Sequence, residues 1–449
     1  MSRPFGSTAS GQPSRRDFIR ASSVLVAGST VSGTLGAAQA VHSSGSDRVR
    51  IGLIGCGARG TTAALQALST SSGPVQLVAL ADVFADKIQS AYRRLKSTHA
   101  YQLDVPPERR FVGLDSYRQL LQTDVDVVLL TTPPGFRPLH FEAAVAANKH
   151  VYLEPPVAVD APGARRVLAA TSEARLRGLA VVAGLQRRHE AAYQETIAQV
   201  QRGQIGQPLT MRVYWNGNGV PARPRLPRQS ELEYQLRNWY FFTWLSGDHI
   251  VEQHVHNLDV GNWLLHDVPQ EANGLGGREV RRRAADQGRD FGQIFDHFSC
   301  EFVYRSGARM FSQCRQMRDC WNVVGEHVQG SGGRADISGG KIYDPHGELI
   351  WQTRAPRAGQ QQSQQDLFAA LRSGYALNEG ESAALATLTA IMGRQAAYSG
   401  QCVTWDEVLA SDFSWAHTDA LVSLGDPAPV QPDQYGDYPV PVPGQSKFA

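Results

Sequence analysis

The stretch Gly55-Cys56-Gly57-Ala58-Arg59-Gly60 links an apolar run to a segment with helical spacing. Residues 49–54 have the composition of a buried strand, and residues 61–68 repeat their apolar positions at helical intervals. This order suits a dinucleotide pyrophosphate, because the first glycine allows a tight turn, the second a close approach of backbone to phosphate, and the third close helix–strand packing. We therefore predict that all six residues of the turn bind a dinucleotide at the start of a helix.

An acidic residue at the end of the next apolar run supports this interpretation. Residues 74–81 are predicted to form a second buried strand, and Asp82 follows it, 22 residues after Gly60. A carboxylate at this place accepts hydrogen bonds from the adenosine ribose and repels a 2′-phosphate, so we expect NAD rather than NADP. The alternative is a glycine turn in another kind of α/β protein, with Asp82 as an ordinary strand-end residue.

Strands and helices continue to alternate as far as residue 185. Apolar strands are predicted at 125–130, 150–153 and 179–185, with helical segments between them. Such alternation predicts a doubly wound parallel sheet, in which ligands bind at the carboxyl ends of the strands. The strand-end residues that we expect near a cofactor are Thr131, Thr132, Pro133, Glu154, Pro155 and Gln186.

The pattern changes after about residue 205, where alternating strands dominate and helices return only later. The strands predicted at 298–304 and 308–314 form a hairpin, which indicates a second, α+β domain with a mostly antiparallel open sheet. The last 25 residues contain six prolines and are predicted to form an extended arm. The predicted segments are a signal peptide at 1–40, a linker at 41–47, a Rossmann domain at 48–185, an α+β domain at 186–424 and a proline-rich arm at 425–449.

The N-terminal segment has the pattern of an export signal. Ser14-Arg15-Arg16-Asp17-Phe18-Ile19-Arg20 matches the twin-arginine motif, and Ala38-Gln39-Ala40 has the form of a signal-peptidase site. We expect export through the twin-arginine machinery to the periplasm, with cleavage after Ala40; an uncleaved anchor is the alternative. This pathway carries folded proteins, so a cofactor could be loaded before export.

Composition excludes some classes of function. The net charge of +2 over 449 residues gives no electrostatic support for nucleic-acid binding. The five cysteines lack the spacing of a zinc site, and we predict no metal. His249, Glu252, His254 and His256 suggest a metal cluster, but residues 254 and 256 would point to different faces of a helix.

The chain resembles the Gfo/Idh/MocA family of oxidoreductases, including its exported members, over nearly all of the segment that follows the signal. The motifs that carry the resemblance are the turn at 55–60, Asp82, Thr131-Thr132-Pro133-Pro134 with His140, Glu154-Pro155-Pro156, and the stretches 184–189, 252–259, 392–400 and 404–407. The resemblance implies NAD(P) in the first domain, a sugar or polyol substrate against the second, and a homo-oligomer. It also adds His140 to the candidate cofactor residues.

The family places an acid and a histidine four residues apart on a helix of the second domain, which implies Glu252 and His256. On one continuous helix these residues and Asp259 would share a face. We expect His256 to act as the acid/base, because the pKa of a histidine lies near working pH, and Glu252 to orient the imidazole. The alternative for His256 is a histidine packed beneath the sheet.

One position departs sharply from the family, because Pro155 stands where the family has a catalytic lysine. Proline has no charge, so Arg187 or Arg188 at the next strand end could supply the cation instead. Alternatively, the protein uses its hydride differently, as the related NAD-dependent glycosidases do when they oxidise, eliminate, hydrate and reduce in turn. A third possibility is that it binds cofactor without turnover.

A short aromatic segment and several polar residues are candidates for substrate contact. Sugar rings stack on aromatic faces, which makes Trp239 and Tyr240 candidates, although a core role is equally compatible with them. The other substrate candidates are Arg188, Tyr193 and Asp259. We predict an oxidoreductase that acts on a small carbohydrate, with an NAD-dependent glycosidase or a cofactor-binding protein as alternatives.

Overall fold

A computed structural model describes residues 47–281 and 292–447 of the protein. Its first domain is a six-stranded parallel sheet with the strand order β3-β2-β1-β4-β5-β6. The strands are Val49–Ile54 (β1), Val75–Asp82 (β2), Arg110–Val112 (β3), Val127–Leu130 (β4), His150–Leu153 (β5) and Val181–Ala183 (β6). This is the doubly wound Rossmann topology that the alternation of strands and helices predicts.

Helices cover both faces of the parallel sheet, because the central strands are largely apolar and need burial on each side. The first six helices are Ala58–Leu68 (α1), Ala85–His99 (α2), Ser116–Leu121 (α3), Arg137–Ala146 (α4), Ala161–Leu176 (α5) and Ala191–Gln201 (α6). The turn before α1 and the loops after β4 and β5 lie at the carboxyl edge of the sheet. This edge is therefore where a ligand site is expected.

The second domain contains a nine-stranded sheet in which β10 pairs with β7 in parallel and all other neighbours are antiparallel. Its strands are Pro208–Gly217 (β7), Glu271–Gly277 (β8), His297–Val303 (β9), Arg309–Gln316 (β10), Val323–Gly330 (β11), Gly333–Asp336 (β12), Lys341–Tyr343 (β13), Leu349–Gln352 (β14) and Val403–Thr404 (β15). The fold class predicted from the sequence is confirmed in both domains.

The remaining helices connect the second sheet to the first domain. They are Glu231–Arg237 (α7), Thr243–Ser246 (α8), His249–Glu252 (α9), Val255–Leu265 (α10), Gly359–Ser373 (α11), Gly380–Ser399 (α12) and Trp405–Ala410 (α13). Helix α11 places Leu367 and Phe368 in the core of the Rossmann domain. Helix α12 places Ala383 in that domain and Leu388 in the core of the second one. The chain thus returns to the first domain long after residue 185, which alternation of elements along the sequence does not reveal.

The C-terminal arm lies on the second domain. Ala428, Val430 and Tyr438 pack in one apolar cluster with residues of α7 and α8. The hydroxyl of Tyr438 donates to the carboxylate of Glu231 at 2.6 Å. The arm therefore covers the helices that precede the candidate site.

The predicted twin-arginine motif and cleavage site lie outside the described residues, so both remain predictions. Within residues 47–281 and 292–447, no helix combines the length and the apolar character that a membrane crossing requires.

Candidate functional site

The glycine turn between β1 and α1 has the three geometries that its sequence predicts. Gly55 has a φ of 99°, a conformation that other residues rarely adopt. A Cβ on Gly60 would lie 1.9 Å from the carbonyl oxygen of Gly55, so β1 and α1 can meet only at glycine. A Cβ on Gly57 would meet no described atom within 4 Å. That open space, beside helix amides without an intrahelical partner, fits the pyrophosphate of a dinucleotide.

A cavity of about 560 Å³ lies against this turn and extends to residues of the second domain. The predicted site residues that line it are Gly55, Gly57, Ala58, Arg59, Gly60, Asp82, Thr131, Thr132, Pro133, His140, Trp239, Tyr240 and Glu252. The predicted residues outside its lining are Cys56, Glu154, Pro155, Gln186, Arg187, Arg188, Tyr193, His256 and Asp259. The structure thus brings most of the predicted cofactor residues together, and it separates them from most of the predicted substrate residues.

Asp82 ends β2 at the rim of the cavity and supports the turn directly. Its carboxylate accepts the amide of Cys56 at 2.6 Å through one oxygen and the amide of Phe84 at 2.9 Å through the other. Burial raises the pKa of Asp82, and these two hydrogen bonds oppose the rise. Each carboxylate oxygen retains a lone pair, so Asp82 can still accept a ribose hydroxyl.

Thr131 and Thr132 close the turn from the end of β4. The hydroxyl of Thr131 donates to the carbonyl oxygen of Gly55 at 2.7 Å. Thr132 Oγ1 lies 3.1 Å from Nδ1 of His140, which packs against the ring of Tyr117. Burial lowers the pKa of His140 to about 3, so this imidazole is neutral and serves as a hydrogen-bonded wall of the cavity.

Arg59 and Glu154 form an ion pair across the carboxyl edge of the sheet. The guanidinium Nη2 of Arg59 lies 2.6 Å from Oε1 of Glu154, and Nε donates to the same oxygen at 2.9 Å. The side chain of Glu154 is 8% exposed, and this pair holds it at the back of the turn. A cofactor role for Glu154 stays a prediction.

Pro155 and Pro156 are joined by a cis peptide bond at the end of β5. The carbonyl oxygen of Pro156 accepts a hydrogen bond from Nη1 of Arg137, the first residue of α4. Arg137 is buried and was not among the site residues predicted from the sequence. Its position in the sequence, six residues after Thr131 and thus at the edge where ligands bind, could have identified it.

The continuous helix expected to carry Glu252, His256 and Asp259 is interrupted after Glu252, which ends α9, and it resumes at Val255 as α10. Between the two helices, the imidazole of His254 lies 2.8 Å from the hydroxyl of Ser312 on β10. The amide of His254 donates to the carbonyl of His249, five residues earlier, in place of a regular helical bond. The prediction that Glu252, His256 and Asp259 share a face of one helix is therefore wrong, because a contact with the second sheet breaks it.

Glu252 lines the cavity and interacts with Tyr240 rather than orienting His256. The phenol of Tyr240 donates to the carboxylate of Glu252 and accepts from Nε2 of Gln316 at 2.7 Å. Burial raises the pKa of Glu252 to about 7, while Arg137 and Tyr240 oppose the rise. In the described residues, no hydrogen bond joins Glu252 to His256, so the predicted orienting role is not what this geometry provides.

His256 lies against the second sheet, with its ring 6.2 Å from that of Trp215. Burial lowers its pKa to about 3, and the charges of Arg187, Arg59 and Arg137 add to the effect. Its Nδ1 is buried and has no hydrogen-bond partner within the described residues. An unpartnered nitrogen of a neutral imidazole can bind a polar ligand atom. The pKa near working pH that the sequence-based prediction assumed for His256 is not what this environment provides.

Beside His256 lies a buried polar cluster centred on Glu326 of β11, which is 1% exposed. Its carboxylate accepts the hydroxyl of Tyr193 at 2.9 Å and Nδ2 of Asn257 at 2.6 Å. Arg187 Nη1 lies 3.5 Å from the same carboxylate. Sequence reasoning identified Arg187 and Tyr193 but not Glu326, because an alternating strand gives no local sign of the partner it meets.

Two other predicted substrate residues bind each other. Nη2 and Nε of Arg188 lie 2.7 Å and 2.8 Å from the two carboxylate oxygens of Asp259, and the guanidinium lies over Trp263. Arg188 could therefore replace the family lysine only by giving up its ion pair with Asp259.

Gln186 begins a 3-10 turn, Gln186–His189, and its cofactor role stays a prediction. Within the described ranges, no group of three or more His, Cys, Asp or Glu could hold a metal ion.

Residues 49–182 match the family described as the oxidoreductase family with an NAD-binding Rossmann fold, Gfo/Idh/MocA. The inositol 2-dehydrogenase of Acidothermus cellulolyticus is 27% identical over 238 residues, which are 53% of this chain and 60% of that protein. The inositol 2-dehydrogenase of Salmonella typhimurium is 28% identical over 224 residues, 49% of this chain and 55% of that protein. The chain therefore spans less than two thirds of the length of these two relatives.

Solved structures share the fold over most of the chain. The aldose-aldose oxidoreductase of Caulobacter crescentus has a TM-score of 0.59 at 19% identity and covers 80% of this chain and 99% of its own. A levoglucosan dehydrogenase, solved with NADH and levoglucosan, has a TM-score of 0.62 at 16% identity with the same coverage. At these identities the structures establish the fold alone. Residues 49–182 therefore match the oxidoreductase family Gfo/Idh/MocA, and the chain is similar to inositol 2-dehydrogenases over about half of its length.

Proposed function

We propose that this protein is an NAD-dependent oxidoreductase that transfers hydride between the dinucleotide and a carbohydrate or polyol. One observation carries the proposal: a single cavity joins the glycine turn at Gly57 to the carboxyl group of Glu252 and the rings of Trp239 and Tyr240. Phosphate-binding backbone, an ionisable group and aromatic rings are the parts that such a reaction needs. The names of the relatives, which act on inositols, aldoses or levoglucosan, agree with this class of substrate.

We propose NAD rather than NADP because of the charge at the adenosine end of the cavity. Asp82 lines that end, and its carboxylate would repel a 2′-phosphate. Lys87 and Arg223 line the same region and oppose this repulsion in part. Equilibrium binding of both dinucleotides, compared between the natural protein and Asp82→Ala, tests the preference.

The proton of the reacting hydroxyl has two candidate acceptors. A bound nicotinamide ring supplies the hydride acceptor or donor. His256 is neutral and has a buried, unpartnered Nδ1, while Glu252 has a pKa of about 7 and lies in the cavity. We propose His256 as the acid/base that contacts the hydroxyl. Glu252, with its pKa of about 7, would hold or release a proton near neutral pH, and the hydrogen bond from Tyr240 would stabilise its ionised form.

Pro155 favours a second candidate, an NAD-dependent glycosidase in which the hydride returns to the same substrate. A neutral residue at 155 cannot provide the ammonium on which the dehydrogenases of the family rely. Transient oxidation, elimination of the glycosidic group, addition of water and return of the hydride would leave no net NADH. A protein that binds the cofactor without turnover is the remaining possibility.

Two assays separate these functions. The purified protein is incubated with NAD and a panel of inositols and aldoses, and NADH absorbance is followed; a panel of nitrophenyl glycosides is tested in parallel. Steady NADH formation supports the dehydrogenase, and glycoside cleavage without net NADH supports the glycosidase. If neither activity is found and NAD binds tightly, the protein binds the cofactor without turnover. His256→Ala should abolish either activity with NAD still bound, whereas His346→Ala, an exposed control, should change nothing.

We also propose export and self-association, both from the sequence. Replacing Arg15 and Arg16 by lysine should retain the protein in the cytoplasm, and mass spectrometry of the exported form should show whether cleavage follows Ala40. Light scattering of the purified protein tests for a homo-oligomer. A monomer, or export that is independent of both arginines, would contradict these proposals.

A further inference from the structure

Arg137 lies beside the position at which this chain lacks the family lysine. Strands β4 and β5 pair in parallel with Leu130 opposite Leu153, so the loops that follow them are neighbours. Arg137 belongs to the first of these loops as it enters α4, and its Nη1 donates to the carbonyl of Pro156 in the second. A guanidinium therefore contacts the backbone of the residue that follows Pro155.

Arg137 differs from the other arginines at this edge in how its charge is used. Arg59 is paired with Glu154 at 2.6 Å, and Arg188 binds Asp259 through two nitrogens. In the described ranges, no carboxylate oxygen lies within 4.0 Å of the Arg137 guanidinium, and its buried Nε has no hydrogen-bond partner. Its charge therefore acts at longer range, most strongly on Glu154 and then on Glu252.

We propose that Arg137 is a positioning residue that supplies the positive charge missing at Pro155 and acts through the carboxylate of Glu252. The expected effect on kcat/KM rests on the proposed oxidoreductase function. The expected effect of Arg137 on the pKa of Glu252 involves only residues of this chain, so it can be tested without turnover. Neither Arg187 nor Arg188, the replacements suggested by the sequence, has this position.

Three groups from different elements act on the carboxyl group of Glu252 besides its burial. Arg137 favours the ionised form through its charge, and Tyr240 favours it by donating a hydrogen bond. Glu154 disfavours it, although the ion pair with Arg59 offsets part of the charge of Glu154. Burial lowers the pKa of Arg137 itself to about 10, which leaves it charged at neutral pH. Removing that charge should therefore raise the pKa of Glu252 above about 7 and keep it protonated.

The electrostatic test compares Arg137→Gln with Arg137→Lys. Glutamine can still donate to the carbonyl of Pro156 but carries no charge, whereas lysine keeps the charge. The protonated carboxyl band of Glu252 is titrated by infrared spectroscopy and assigned by its loss in Glu252→Gln. We expect an upward shift of about one pH unit or more in Arg137→Gln and a value near the natural one in Arg137→Lys. An unchanged titration in Arg137→Gln would overturn the proposal.

Rescue at residue 155 distinguishes a charge effect from a loss of structure. In the double variant Arg137→Gln with Pro155→Lys, a lysine at the family position should restore the titration of Glu252. If turnover is found and requires the ionised carboxyl group, a rise of one unit from a pKa of about 7 should lower kcat/KM at pH 7 about fivefold in Arg137→Gln and displace the acid limb upwards. Both quantities should recover in the double variant. Recovery of neither quantity would contradict the proposal.

Binding measurements separate failure of this inference from failure of the proposed function. NAD affinity and thermal unfolding should be the same in the natural protein, Arg137→Gln and Arg137→Lys. The infrared titration can be measured even if the protein has no turnover. In that case the pKa of Glu252 in the variants still decides whether Arg137 acts on it. If Arg137→Gln does not fold, Pro155→Lys alone is measured: an added charge should lower the pKa of Glu252, and no shift would show that residue 155 is not coupled to it.

Discussion

The two ends of the candidate site differ in whether backbone groups or side chains form them. The end that faces the dinucleotide consists largely of backbone: the turn at Gly55, the first amides of α1, and a carboxylate at Asp82 that accepts two amides. The end that faces the second sheet depends on side chains from distant elements: Glu252 with Tyr240 in the cavity, and Arg187 with Glu326 in the buried cluster outside its lining. Backbone geometry tolerates changes of pH but not added atoms, whereas side-chain pairs respond to changes of charge.

The largest effect should follow from adding one carbon atom at Gly60. In Gly60→Ala the new Cβ would lie 1.9 Å from Gly55 O and 2.4 Å from Thr131 Oγ1, and the first of these is backbone that cannot move aside. We expect a loss of about 3 kcal/mol in the free energy of unfolding and loss of dinucleotide binding. Chemical denaturation and fluorescence titration measure the two quantities.

Gly57→Ala is the matched control, because its Cβ enters open space in the described structure. Its free energy of unfolding should stay within about 0.5 kcal/mol of the natural value, while its affinity for NAD falls because a methyl group occupies the approach to the phosphates. If Gly57→Ala bound NAD normally, the backbone of this turn would not be the phosphate site.

The next effect concerns ionisation at Glu252, on the side-chain end. With a pKa of about 7, its carboxylate form increases as pH rises through neutrality, so kcat/KM should rise over the same range if turnover requires the charged form. Glu252→Gln should remove this acid limb and lower kcat/KM about hundredfold at pH 8. Rates between pH 5 and 9 test this, with the exposed Glu348→Gln as control. Persistence of the limb in Glu252→Gln would assign it to another group.

How far the sequence predicts each end follows from how local its interactions are. The geometry of Gly55, Gly57 and Gly60 is fixed within six residues, so the pattern predicts it in full. Thr131 and Asp82 were also predictable, because parallel strands bring their carboxyl ends to one edge of the sheet.

The side-chain end depends on contacts between residues far apart in the chain. The break after Glu252 arises because His254 reaches Ser312, 58 residues away, and helix propensity carries no trace of that contact. Glu326 meets Asn257 across 69 residues, and it lies on a strand whose pattern is ordinary. The resemblance to the family pointed to residues 252 and 256, but the partners of both side chains required the structure.

A third effect tests whether paired charges also hold the domains together. His189 is buried between Asp366 of α11, at 2.7 Å from Nδ1, and Glu379 before α12, at 3.2 Å from Nε2. Burial opposes protonation, but both carboxylates outweigh it and raise the pKa to about 9. Because the folded pKa exceeds the ordinary 6.5, the stabilisation is complete below pH 6.5 and is lost as pH rises through 9.

A pKa difference of this size corresponds to on the order of 3 kcal/mol. The free energy of unfolding of the natural protein should therefore fall between pH 6.5 and 9.5 by up to this amount. His189→Gln should be less stable at pH 6 and should lack the fall, while the exposed His346→Gln should behave as the natural protein does. A stability that does not change with pH in this window would show that His189 is neutral in the folded state.

The smallest effect should come from a charge pair at the backbone end. Arg237 of α7 binds Asp86 of α2 at 3.1 Å and lies over the ring of Phe84, at the rim of the cavity. Since Asp86 is 59% exposed, water and salt screen the pair, and Asp86→Asn should cost less than about 1 kcal/mol, with the difference vanishing in high salt. NAD affinity should be unchanged, because the ring contact of Arg237 remains. A different outcome would be a tenfold loss of NAD affinity in Asp86→Asn, with the same loss caused by high salt in the natural protein. That result would mean that side-chain charge, and not backbone alone, governs NAD binding at the dinucleotide end.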